Sequence, residues 1–149
     1  MALTEAQEKL LDAAREVAIE LGERGKVLTG LIGELSACSY GSLKWEPSDG
    51  YDARVGDLQV EVETARCPRS GETIGWFGRR KEKGYSFAMA MYVELDSDYK
   101  VAGIWHMGSN EIKDLEGTET STWGLRINRF KARGEILTDT EGLRRRPPI

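Results

Sequence analysis

Two cysteines and one histidine are all that 149 residues offer to thiol, imidazole or soft-metal chemistry. Cys38 and Cys67 lie far apart in sequence and form no C-x-x-C pair, which argues against a disulfide framework or a structural zinc site. His106 stands alone, so mechanisms that need several histidine ligands are excluded, and it reads as a strand-end residue. No apolar run approaches the roughly 18 residues of a membrane span, so no membrane partner is expected. The lack of a charged-then-apolar leader predicts a cytoplasmic protein. Phosphate loops are missing too: GWFGRR lacks the lysine-serine ending and GERGK has the wrong spacing. There is no nucleophile elbow. Nucleotide-dependent enzymes and serine hydrolases therefore rank low.

What the chain does have is charge, unevenly placed. Residues 1–63 carry 6 Lys and Arg against 13 Asp and Glu, residues 64–120 carry 8 against 9, and residues 121–149 carry 7 against 3. An acidic front and a basic back can do different work even at a net charge of -4. The length suits one domain, 1–149, with a basic and mobile tail expected from about 138. Thr4 to Gln7 forms a capping-box pattern, followed by Leu10, Ala14, Val17 and Leu21 at helical spacing until Gly22. A second helix, capped by Thr29, has the stripe Leu31, Leu35 and Cys38, and Glu34 falls on that stripe. Residues 45–50, with Pro47 and Gly50, read as a loop.

Within the fourteen positions from Gly50 to Glu63 lie Asp52, Asp57, Glu61 and Glu63. Residues 51–55 and 58–65 read as strands joined by a Gly56-Asp57 turn. That turn predicts Val55 opposite Leu58, Arg54 opposite Gln59, Ala53 opposite Val60 and Asp52 opposite Glu61. Alternation puts Glu63 on the same face as Glu61. Opposed like charges cost from some tenths of a kcal/mol to about 1 kcal/mol, and a hard divalent cation between them reverses the sign. Two carboxylates on neighbouring strands suit Mg²⁺, which takes oxygen ligands and keeps several waters. The equally open alternative is an exposed acidic face balanced by Arg54, Arg66 or solvent.

The order Glu34 on a helix, Asp52 on a strand and Glu61-Val62-Glu63 on the next resembles the PD-(D/E)xK superfamily of restriction-endonuclease-like nucleases, over roughly residues 29–107. GELSACSYGSLKWEPSDGYDARV, LQVEVETAR, WFGRR and YSFAMAMYVELDSDYKVAGIW look like one small branch of it. The resemblance implies an α/β fold with a mixed central sheet flanked by helices. It implies a Mg²⁺-dependent (or Mn²⁺-dependent) endonuclease that hydrolyses DNA phosphodiesters as a homodimer or higher homo-oligomer. Asp52, Glu61 and Glu34 would be metal ligands, and all three with Glu63 would form the catalytic set. Tyr51 stands where the family's first half-motif has proline, and Glu63 where it has lysine. Some members carry Glu-x-Glu, so Glu63 could act as a general base or bind a second metal. Otherwise a migrated lysine (Lys44, Lys81 or Lys83) takes over, or catalysis is lost and a nucleic-acid-binding or protein-interaction module remains.

Downstream, Arg66, Arg69, Arg79, Arg80, Lys81 and Lys83 form a basic region suited to phosphate or to plain solvent. Residues 86–95 are apolar on both alternating faces, which predicts a strand covered on both sides, with methionines as core filler. Residues 96–98 form a turn, 99–107 a strand and 110–115 a short helix. Residues 125–131 form a strand or helix that presents Arg126, Arg129 and Lys131 to nucleic acid.

Overall fold

The structure, a computed structural model, describes residues 3–48, 50–69, 72–74, 87–116 and 125–139. It is a mixed α/β fold. Helix α1 (Glu5–Leu21) starts in the expected capping box, Thr4 Oγ1 accepting from the Gln7 N–H while Gln7 Oε1 accepts from the Thr4 N–H. It ends at Gly22, whose φ of 61° only glycine adopts cheaply. The connection Gly22–Leu28 is a 3₁₀ turn and leads directly into α2 (Thr29–Gly41).

The buried stripe of α1 differs from the one expected. Leu11, Ala14 and Ala18 face the core, while Leu10, Val17 and Leu21 are 39%, 42% and 45% exposed. Small residues decide this. Gly25 packs so closely on Ala18 that a Cβ at position 25 would overlap the Ala18 carbonyl, and so tight a seam needs the Ala14–Ala18 face inward.

The main sheet runs in the order β1-β2-β3-β5-β6-β8. Its members are β1 (Lys44–Ser48), β2 (Tyr51–Val55), β3 (Leu58–Arg66), β5 (Met89–Leu95), β6 (Val101–Gly108) and β8 (Glu135–Asp139). All pairings are antiparallel except β3 with β5, which are parallel. A small second sheet pairs β4 (Thr73–Ile74) with β7 (Leu125–Arg126). Residues 45–48, expected as loop, belong to edge strand β1. Pro47 is tolerated there because the strand has only one neighbour and bulges at that point. Strand β8 was not anticipated and carries ordered backbone to Asp139, past the expected start of the tail.

Helices cover both faces. On one side α1 and α2 meet Val60, Val62, Met89, Met91 and Val93. On the other, α3 (Ser109–Glu116) and α4 (Ile127–Arg133) meet Ala90, Tyr92 and Met107. Strand β5 alternates between these two cores, as expected of a strand covered on both faces, and its methionines are filler. Among the described residues no helix is long and apolar enough to cross a membrane.

Helix α2 sits hard against β3 at Gly33, where a Cβ would overlap the Thr64 side chain. Gly33→Ala should therefore cost about 1–3 kcal/mol through overpacking, at about 2–4 °C of melting temperature per kcal/mol for a chain of this size. Adding Thr64→Ala should recover part of the loss. Equal melting temperatures for wild type and Gly33→Ala would disprove the close seam.

Candidate metal centre

The predicted hairpin register is present: Val55 pairs with Leu58, Arg54 with Gln59 and Ala53 with Val60. There the ladder stops. Continuing it would set Asp52 opposite Glu61 and Tyr51 opposite Val62. Tyr51 instead pairs with Ser48 on β1, and the Val62 N–H donates to Asp52 Oδ2 at 2.8 Å. On the β1 side Trp45 faces Ala53 and Ser48 faces Tyr51, so Glu46 and Pro47 together oppose the single residue Asp52. Tyr51 and Ala53 share strand parity yet pack into opposite cores, so alternation breaks at Asp52. The carboxylate is thus delivered into the gap between β2 and β3.

Around it the structure gathers the acids named from sequence. Glu61 lies within hydrogen-bonding reach of Asp52. Glu34 approaches from α2, with Trp45 Nε1 donating to Glu34 Oε1 at 3.1 Å. Glu63 follows Glu61 on β3, beside Tyr92 of β5 in the parallel register. Trp45 and the Val62 amide were not anticipated. A half-buried indole seeking an acceptor was the only available signal for the first, and a backbone N–H leaves none for the second.

These acids are half-buried, and the environment favours their neutral forms. Burial first, then the Asp52 charge, pushes Glu34 up to about 7, against the lowering effect of the Trp45 hydrogen bond. Glu61 rises further above the carboxylate range through burial, its hydrogen bond to Asp52, and the charges of Asp52, Glu63 and Glu34. Cys38, buried behind Glu34, has its thiol pushed up to about 12 by burial and by Glu34 and Asp52, so it is inert packing.

The cations that might have balanced this face are engaged elsewhere. Arg54 bonds Glu46 at 3.1 Å and the Tyr51 hydroxyl at 3.0 Å. Arg66 donates to the Ser97 carbonyl at 2.7 Å and covers the Tyr99 ring at 4.3 Å. Lys44 pairs with Glu46 at 3.5 Å. Among the described residues, no Lys or Arg forms an ion pair with Glu34, Asp52 or Glu61.

The donor set is all oxygen, which fits a hard divalent cation. Two of its members are oriented by fixed donors, as outer-shell partners orient metal ligands. Among the described residues, however, no group of three or more His, Cys, Asp or Glu side chains stands ready arranged to hold a metal ion. Asp52 and Glu34 each face a protein donor, Val62 N–H and Trp45 Nε1.

The basic residues spread more widely. Arg69 and Arg126 are exposed and Arg129 is half-buried. Lys131 bonds Glu94 Oε1 at 3.1 Å and lies 4.7 Å over the Trp105 ring. Arg79, Arg80, Lys81 and Lys83 lie outside the described residues, as does the tail beyond 139. His106 sits inside β6, buried, opposite Met91 and Glu135. No protein-family model matches the chain. Comparison with curated proteins likewise gives no match.

Glu34 and Glu61 bind protons more tightly folded than unfolded. Their contribution to stability is therefore fully present below about pH 4.5 and is lost as pH rises through about 7 and beyond. In EDTA the wild type should lose of order 1–3 kcal/mol from this source between pH 5 and 8. Asp52→Asn keeps an acceptor for Val62 and should flatten the loss. Thermal melts across that range check it, and parallel pH profiles for the two proteins would refute the repulsive cluster.

Proposed function

We propose that this chain is a divalent-metal-dependent endonuclease of the PD-(D/E)xK kind, hydrolysing DNA phosphodiester bonds by in-line attack of water. One observation carries the reading. The charge of Asp52 on β2 bears on both Glu34 of α2 and Glu61 of β3, with no cation of the protein to balance them among the described residues. Carboxylates are rarely crowded in half-buried surroundings unless something positive joins them.

Asp52, Glu61 and Glu34 would hold the ion, Mg²⁺ or Mn²⁺. The bound ion would supply Lewis acidity toward the phosphoryl oxygens and toward the attacking water. The protein's own part is positional. The Val62 amide fixes Asp52 and Trp45 fixes Glu34, so neither carboxylate has to be ordered when substrate arrives. Burial and the neighbouring acids raise the affinity of Glu61 for its proton, so ion uptake there would be favoured by higher pH. Glu63, in the position of the family's lysine, is suited to accept a proton from water but not to stabilise developing negative charge. Lys44 is drawn to Glu46 at the sheet edge, and the alternatives Lys81 and Lys83 lie outside the described residues.

A homodimer would supply the second centre needed to cut both strands, and the reading suits a cytoplasmic protein. The second reading is a silent nucleic-acid-binding or protein-interaction module. It is favoured by the lack of a ready metal arrangement among the described residues and by the exchange of lysine for Glu63.

Supercoiled plasmid incubated in Mg²⁺, Mn²⁺ or EDTA separates the two. The nuclease reading expects metal-dependent nicking that falls at least 100-fold in Asp52→Asn and in Glu61→Gln. Binding without nicking in either ion, unchanged by Asp52→Asn, would leave the silent module.

A further inference from the structure

A second feature lies on the α3/α4 side of the sheet, near the carboxyl end of its parallel pair. Pro68 and Arg69 follow the end of β3, and Glu94 is the penultimate residue of β5. With Ile127, Asn128 and Lys131 they line a cavity of roughly 390 Å³. Small-molecule pockets span about 300–1,000 Å³, and ligands of α/β sheets favour the carboxyl ends of parallel strands.

The lining is chemically divided. Pro68 and Ile127 make an apolar wall. Glu94 accepts from Lys131 Nζ and from the Tyr92 hydroxyl, both at 3.1 Å, so its charge is already met. Arg69 is fixed through its backbone, its N–H donating to Glu72 Oε2 at 2.8 Å, while its guanidinium and the Asn128 amide have no partner among the described residues. Counting Arg69, Lys131 and Glu94, the lining carries one net positive charge. An apolar wall, an amide able both to donate and to accept, and a guanidinium without a partner among the described residues match a base or sugar carrying a single phosphate.

We infer that this cavity binds one nucleotide unit, with its phosphate on Arg69 and its base or sugar between Pro68, Ile127 and Asn128. The nucleotide has two possible sources, a free mononucleotide or one residue of a DNA strand. The second source deepens the endonuclease reading and rests on it. By register Ala65 neighbours Glu94, so the cavity begins two β3 residues beyond Glu63, about 7 Å along the strand. A strand crossing the acidic row would therefore enter it.

The test is titration with dAMP, deoxyadenosine and inorganic phosphate, in EDTA so that no cleavage or metal binding contributes. The wild type and Asp52→Asn should bind dAMP alike, and deoxyadenosine at least tenfold more weakly. Arg69→Ala and Asn128→Ala, both at exposed positions, should each weaken dAMP at least fivefold, and phosphate should compete. A short single-stranded oligonucleotide identifies the source. If it is displaced by dAMP, and Arg69→Ala lowers its salt slope by about 0.7, the nucleotide belongs to a strand. If dAMP binds but leaves the oligonucleotide bound, the ligand is the free nucleotide. Absence of dAMP binding at millimolar concentration, or equal binding in both cavity variants, overturns the proposal whatever the plasmid assay gives. Failure of cleavage alone touches only the endonuclease reading.

Discussion

A single hydrogen bond sets the layout of the acidic centre: the Val62 N–H donates to the Asp52 carboxylate where a strand carbonyl would ordinarily accept it. Asp52 can do this because its own ladder is interrupted on both flanks. The β1 bulge at Glu46-Pro47 lies on one side, and the end of the β2–β3 pairing on the other. A buried backbone N–H must be satisfied, and here a side chain satisfies it at the cost of holding a charge between strands. Burial first, and that charge after it, raise the affinity of Glu34 and Glu61 for protons and push up the thiol of Cys38 behind them, while the indole of Trp45 donates to Glu34.

The same interruption explains how a helix and two strands bring acids to one place. Glu61 and Glu63 alternate with Val60 and Val62, which face α2, so their side chains leave β3 on the side away from that helix. Glu34 comes from α2 itself. A regular sheet would keep the two sets apart, and the break at Asp52 opens the route between them. Close seating of α2 through Gly33 on Thr64 then brings Glu34 near enough to feel Asp52. The site thus depends on a tight helix seam as much as on the acids.

Legibility in the sequence followed the range of the interactions. The hairpin register was readable because a two-residue turn, with Gly56 at a φ of 57°, fixes pairing locally. The first helix was readable from its capping box, but its buried face was not. Helical spacing pointed to Leu10, Ala14, Val17 and Leu21, of which Ala14 alone is buried, beside Leu11 and the Ala18 that Gly25 contacts. Strand β1 was hidden by Pro47, because turn chemistry and edge-strand chemistry use the same residue. Glu34, Asp52, Glu61 and Glu63 were singled out by type and spacing as a candidate cluster. The amide of Val62 and the indole of Trp45 were not, since both roles are defined only by where a ladder ends and where a helix lies. The Glu94–Lys131–Tyr92 group draws on residues 37 positions apart, with no local pattern to mark it.

Charge also decides what can approach this face. A phosphodiester placed about 5 Å from an ionised carboxylate is opposed by about 3 kcal/mol at an effective dielectric near 20. Glu63, two residues beyond Glu61 on β3, adds a further acid there and no positive charge. Phosphate can therefore settle here only when cations from solution or bound protons have neutralised the row. Protonation of Glu34 and Glu61, favoured by their burial up to about neutral pH, would ease the approach of phosphate but would leave no base to activate water. In the proposed reading, divalent ions would supply neutrality and reactivity together. A face that merely held DNA would be better served by amides than by the carboxylates of Asp52, Glu61, Glu63 and Glu34, and on that ground the proposed chemistry is assigned to the hairpin and the proposed nucleotide contact to the arginine- and lysine-bearing end of the sheet.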